Sequence, residues 1–118
     1  MYNVLDICNY IILYCRKKGY EITNLRLQKI LYFVQAFFLQ ETDAPCFNAD
    51  IEAWDLGPVV PDAYHFFKKF GASPLRVDNQ FILSKILEED RNRINEVVDL
   101  LSSYTTYQLH NITHNQKP

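Results

Sequence analysis

His110 and His114 stand four residues apart, the spacing that turns two imidazoles of one helix toward a single metal ion. Zinc needs further donors, and no Glu follows His110, no cysteine pair has C-x-x-C spacing, and no carboxylate cluster completes a ligand set. A hydrogen-bonded or solvent-facing pair is the plainer expectation. Nucleophilic chemistry would require Ser, Thr or Cys beside a base. Cys8 and Cys15 fall in an apolar-periodic stretch that buries them, Cys46 sits in a loop without a signature around it, and G-x-S-x-G is absent. With 3 glycines in the chain there is no G-x-x-x-x-G-K phosphate loop either. No catalytic residue, metal or cofactor is therefore expected, and the chain does not read as an enzyme.

Two segments are more informative: Leu25-Arg-Leu-Gln-Lys-Ile-Leu-Tyr32 and Glu52-Ala-Trp-Asp-Leu-Gly-Pro-Val-Val-Pro61. Gln28 and Lys29 interrupt an otherwise apolar helix, so they either reach solvent along a thin polar edge or satisfy buried backbone groups. Tyr32 and Trp54 carry polar tips, and such groups can clamp an irregular loop onto a central helix. Arg16-Lys17-Lys18, with Arg26 and Lys29 downstream, raises a helix-turn-helix reading, because a short Gly-containing turn joins the first two helices. The would-be recognition helix from Leu25 onward is too apolar for a groove, and the chain is acidic overall (net charge −2, pI about 5.9). Nucleic acid is not the expected partner.

The elements that must position these residues follow from periodicity and caps. Val4, Ile7, Cys8, Ile11 and Cys15 recur at helical spacing between a cap at Asn3 and a stop at Gly19. Ile22-Thr23-Asn24 caps a second helix whose stripe of Leu27, Ile30, Leu31, Val34, Phe37 and Phe38 is wide enough to mark the centre of the domain. Thr42 to Pro45 reads as a turn, and Phe47 to Trp54 as a loop with a short extended piece. Pro58 pushes Gly57 away from helical angles, and Pro61 opens a third helix burying Tyr64, Phe67 and Phe70 before Gly71 ends it. The apolar pieces Leu75 to Val77 and Phe81 to Leu83, divided by Asp78-Asn79, allow a small β-hairpin. A fourth helix spans about Glu88 to Ser102 with Ile94, Val97, Val98 and Leu101 inward. Thr105 or Thr106 caps a last short one with Leu109 and Ile112 inward.

The expected fold is mainly α: one domain over 1–118, about five helices around a central apolar one. A length of 118 residues supports a single core, and 48% apolar with 22% charged residues is ordinary globular usage. Aromatics are abundant, with 8 Tyr, 8 Phe and 1 Trp. The odd cysteine count suits free thiols in a reducing compartment. No apolar run approaches a membrane span, and Met1-Tyr-Asn-Val-Leu-Asp lacks the basic start of a signal peptide, so the cytoplasm is the expected location.

Together, "TNLRLQKILYFVQAFFL", "FNADIEAWDLGPVVPDAYHFFKKFG" and "LHNITH" with Pro118 after it resemble the Panacea domain, the SocA-like antitoxin and phage-associated protein family. The likeness covers most of the chain, and L-Q-K-[IL]-L-Y followed by E-A-W and G-P-V-V-P is far more specific than any one motif. The family pattern falls on Leu27, Gln28, Lys29, Leu31 and Tyr32, on Glu52, Ala53, Trp54, Gly57, Pro58 and Val59, and on Thr113 and His114. The resemblance implies a helical binding module of toxin-antitoxin systems that neutralises a cognate toxin by direct contact. The alternatives it brings are an adaptor delivering the toxin to a Clp protease, and a DNA-binding regulator. Family members commonly carry a Trp after the terminal Pro, so a missing C-terminal closing segment is expected here, and there is no room for the extra DNA-binding domain of some relatives.

Overall fold

Local signals fix most helix ends. In the computed structural model, which describes residues 1–115, α1 (Val4–Lys18) begins where the Asn3 side chain accepts from the Leu5 N–H. It ends at Gly19, whose φ of +76° favours a residue without a Cβ. Thr23 caps α2 (Asn24–Thr42) through the Arg26 N–H. Pro61 opens α3 (Pro61–Phe67), which tightens into a 3₁₀ turn at Lys68–Phe70 and stops at Gly71. A second 3₁₀ turn, Leu83–Lys85, precedes α4 (Glu88–Leu101). Thr105 rather than Thr106 caps α5 (Thr106–Asn115): its hydroxyl accepts from the Gln108 N–H at 3.0 Å while Gln108 Oε1 accepts from the Thr105 N–H at 2.8 Å, a capping box. Pro118, which closes the C-terminal motif of the resemblance, lies outside the described residues.

The mainly α architecture agrees with the sequence, and α2 is its centre, touching α1, α3, α4, α5 and the sheet. Leu27, Ile30, Leu31, Val34 and Phe38 of α2 meet Ile7, Cys8, Ile11 and Cys15 of α1 and all four inward residues expected of α4. Tyrosines tie α1 to α4. The Tyr2 hydroxyl donates to Asp90 at 2.5 Å, Tyr10 to Asn95 at 2.5 Å, and Tyr14 and Tyr20 both to Asp99 at 2.8 Å. Burial pushes the Asp99 carboxyl up, but the hydrogen bonds from the two tyrosines outweigh it and hold it below the usual carboxylate range. No helix among the described residues is long and apolar enough to cross a membrane.

Three expectations change. The hairpin is not at 75–83; it is the antiparallel pair β1 (Glu52–Trp54) and β2 (Gly57–Val59), with Glu52 opposite Val59 and Trp54 opposite Gly57. Backbone groups of the 75–83 segment are taken by other elements: the Leu75 N–H donates to Ile22 O, Arg16 donates to Leu75 O, and the Asp78 N–H donates to the Asn9 side chain. Ile112 is 39% exposed, while Thr113 takes the inward place beside Leu109. Positions 109 and 113 share a helical face, and the Thr113 hydroxyl is buried without penalty because it donates to Leu109 O at 2.9 Å. Tyr64 and Phe70 are half-buried; of the three aromatics expected inward on the third helix, Phe67 alone is fully enclosed.

Leu31, with no exposed surface, should be costly to truncate: Leu31→Ala lowers unfolding free energy by about 2–5 kcal/mol in urea melts. Tyr107→Ala, at a side chain 73% exposed, shifts it by less than about 0.5 kcal/mol.

Candidate functional site

The site is built outward from two neighbouring residues of α2. Gln28 has no exposed surface; its Oε1 accepts from the Val60 N–H at 2.9 Å and its Nε2 donates to Asn24 Oδ1 at 3.0 Å. Asn24 in turn donates to Tyr64 O at 3.0 Å, so the pair grips both ends of the first turn of α3. Lys29 is equally enclosed, and its ammonium donates to Leu56 O in the hairpin turn. His110 Nδ1 lies 2.9 Å from the same oxygen. A carbonyl oxygen only accepts, so both nitrogens donate, His110 through an Nδ1–H.

Gly57 closes this knot. Its φ is +91°, and a Cβ there would lie 2.7 Å from Lys29 Nζ and 3.2 Å from Thr113 Oγ1. The backbone conformation therefore demands glycine, and a Cβ would in addition press on the Lys29 ammonium that anchors the turn. Among the described residues no carboxylate is ion-paired with Lys29, and burial pushes its ammonium down to about 8.

On the outer side Trp54 Nε1 donates to Glu52 Oε1 at 2.9 Å. The indole meets Tyr64 edge-on at 5.3 Å and His65 at 6.0 Å, making an aromatic group at the junction of hairpin and α3. Glu52 and His65 are exposed; Trp54, Tyr64 and Pro58 are half-buried. Tyr32 stands half-buried on α2 with its ring edge-on to Phe33 at 5.3 Å. His114 is exposed and stacks on His110 at 5.3 Å.

The structure thus joins Gln28, Lys29, Gly57 and Thr113 as a buried clamp and leaves Glu52 and Trp54 facing outward. The sequence marks Asn24 as part of a helix cap and Tyr64 as a helix aromatic without tying either to the site, and it does not mark His65; for His110 the hydrogen-bonded reading holds in place of the metal ligand. A further clamp residue, Gln35, accepts from the Cys46 and Phe47 N–H groups at 2.8 and 3.2 Å and donates to Phe47 O at 3.0 Å. Its signal was a lone amide between Val34 and Phe37 of the apolar stripe.

Arg26 and Lys29 are buried, Arg26 donating to Leu101 O at 2.9 Å, so neither joins Arg16-Lys17-Lys18 in a basic surface. With α2 covered by other elements, it cannot enter a DNA groove as a recognition helix. Burial pushes the Cys15 thiol up to about 11, Cys46 to about 12 and Cys8 higher still, which keeps all three protonated near neutrality. Among the described residues no group of three or more His, Cys, Asp or Glu gathers as a metal site. What the arrangement does is hold a hairpin in place.

Gly57→Ala should lower stability by about 1–3 kcal/mol in urea melts, with disorder spreading through the hairpin amides in hydrogen exchange. Lys29 also makes a pH signature. Between about 8 and its ordinary value of 10.5 the unfolded chain holds this proton and the folded chain does not, so stability contributed at this position rises with pH. The buried thiols act oppositely, their stabilisation declining as pH rises past their ordinary value of 9.0. They are common to wild type and Lys29→Met, so wild type should gain on the variant across pH 8–10.5, by at most about 1.4 kcal/mol per pH unit. Parallel stability curves for the two would contradict the lowering of the Lys29 ammonium by burial.

Residues 27–118 match the family model described as "Antitoxin SocA-like, Panacea domain". The chain is similar to Antitoxin SocA of Caulobacter vibrioides (strain NA1000 / CB15N), 42% identical over 66 residues, which is 56% of this chain and 34% of that protein. In that comparison the chain spans about a third of its relative's length. No solved structure gives a significant match. The family match takes in most of α2, the hairpin, Gly57 and the Thr113-His114 pair, the same parts that the clamp draws together, and the chain belongs to the antitoxin SocA-like, Panacea domain family.

Proposed function

We propose that this chain is a cytoplasmic antitoxin module that neutralises a partner toxin by stoichiometric protein contact, without catalysis. The observation that carries it is the pairing of a presented aromatic group with a fixed base: Trp54, Tyr64 and His65 cluster where Lys29, His110 and Gln28 hold the hairpin and the start of α3. Aromatic anchors dominate binding energies at protein interfaces, and a pre-ordered loop loses little entropy on docking. Family membership supports the antitoxin role. The buried, protonated thiols speak for binding over chemistry, and their free state suits a reducing cytoplasm.

In this reading Glu52, Trp54, Pro58 and His114 meet the toxin. Gln28, Lys29, Tyr32, Gly57 and Thr113 act as positioning residues behind them.

Co-expression with the product of the neighbouring reading frame should restore growth and yield a one-to-one complex, with toxin levels unchanged. Trp54→Ala should weaken that complex by about 2 kcal/mol or more, roughly thirtyfold, while its melting curve stays close to wild type. No complex and no rescue would overturn the proposal. Rescue accompanied by disappearance of the toxin would replace neutralisation by contact with delivery to a protease.

A further inference from the structure

Away from the hairpin, two clefts of about 370 Å³ each adjoin, sharing Phe70 and Arg76 in their walls. Three cations line them: Arg16 at the end of α1 and, more than fifty residues later, Lys69 in the 3₁₀ turn after α3 and Arg76 in the following loop. Arg16 is held in place by donating to Leu75 O at 3.3 Å. Lys69 Nζ stands over the rings of Phe66 and Phe70 at 5.4 and 5.7 Å from their centroids. Phe66 is 44% exposed, so apolar surface and charge are presented side by side.

Among the described residues none of these cations is ion-paired; the ion pairs are Lys85 with Asp6 and Arg93 with Asp90. One carboxylate, Asp78, lines the second cleft, and its Oδ1 already accepts from the Gln80 N–H at 2.9 Å. In a chain with 14 Asp and Glu against 12 Lys and Arg, three unpaired cations around an apolar wall are a local reversal of sign. Concave, low-dielectric walls focus that positive field outward.

We propose that this double cleft binds an acidic, extended segment of a partner polypeptide. Its carboxylates would be taken by the guanidinium forks of Arg16 and Arg76, and an apolar side chain between them by Phe66 and Phe70. Each cleft has the volume of a few side chains. Nucleic acid fits less well: the cations are separated by an apolar wall and by Asp78, which a continuous phosphate backbone would have to cross and which carboxylates spaced by apolar side chains can straddle. The proposal is independent of the toxin-facing hairpin, and its test involves no toxin.

Fluorescence anisotropy would use a labelled peptide in which glutamates alternate with leucine and phenylalanine, its glutamine analogue, and a single-stranded oligothymidylate of equal charge. The acidic peptide should bind at least roughly tenfold tighter than the other two, and more weakly as salt rises. Arg76→Glu and Lys69→Glu should each weaken it roughly tenfold or more, and Phe66→Ala should weaken it measurably. Lys17→Glu makes the same charge change on an exposed residue outside both clefts and should cost less than about threefold. All four positions are exposed, and thermal melts would verify that each variant folds. Equal binding of the glutamine peptide, an equal loss in Lys17→Glu, or preference for the oligonucleotide would each overturn the proposal.

Discussion

A buried polar group left without a partner costs about 1–3 kcal/mol, and α2 carries several that nothing within the helix can satisfy. Their partners are backbone atoms of the segment that follows. Gln35 holds residues 46 and 47, Lys29 holds 56, Gln28 holds 60, and the Asn24 side chain holds 64. The order descends along the helix as it ascends along the chain. The helix is therefore a template on which the returning chain is laid in register, and among the described residues no buried side-chain polar atom is left unsatisfied.

That constraint explains how so short a hairpin is ordered. Two three-residue strands are not stable alone. Here the turn carbonyl at Leu56 accepts from both α2 and α5, while Gly57 permits the close approach that a side chain would block. The aromatic group of Trp54 and Tyr64 inherits its position from that anchor, so its placement is specified by buried chemistry behind it. On the opposite flank the four tyrosine hydroxyls do the same work between α1 and α4, using side-chain acceptors instead of backbone ones.

Charge is distributed by the same logic. Arg26 and Lys29 are drawn inside, each donating to a main-chain carbonyl rather than to a carboxylate. The cations that stay outside gather beside Phe70, where three segments converge. A mildly acidic chain thus presents two different faces: an aromatic one built on the hairpin, and a cationic one at the end of α1.

The sequence by itself determined what local physics decides. Asn3, Gly19, Thr23, Pro61 and Gly71 marked helix ends because caps and φ restrictions act within a few residues, and the stripe from Leu27 to Phe38 marked the central helix because burial follows periodicity. The family likeness was legible for a related reason: its motifs are the clamp residues and the turn they hold. Tertiary structure alone chose which apolar pairs became a hairpin, since strand pairing depends on which backbone groups remain free. It also put Thr113 inward in place of Ile112, because α5 packs on α2 and the hairpin along the face that carries Leu109 and Thr113. Gln28 and Lys29 stood open between solvent and interior until the returning chain supplied their partners, and the joining of Arg16 to Lys69 and Arg76 has no trace in sequence order because it arises from contact between segments more than fifty residues apart.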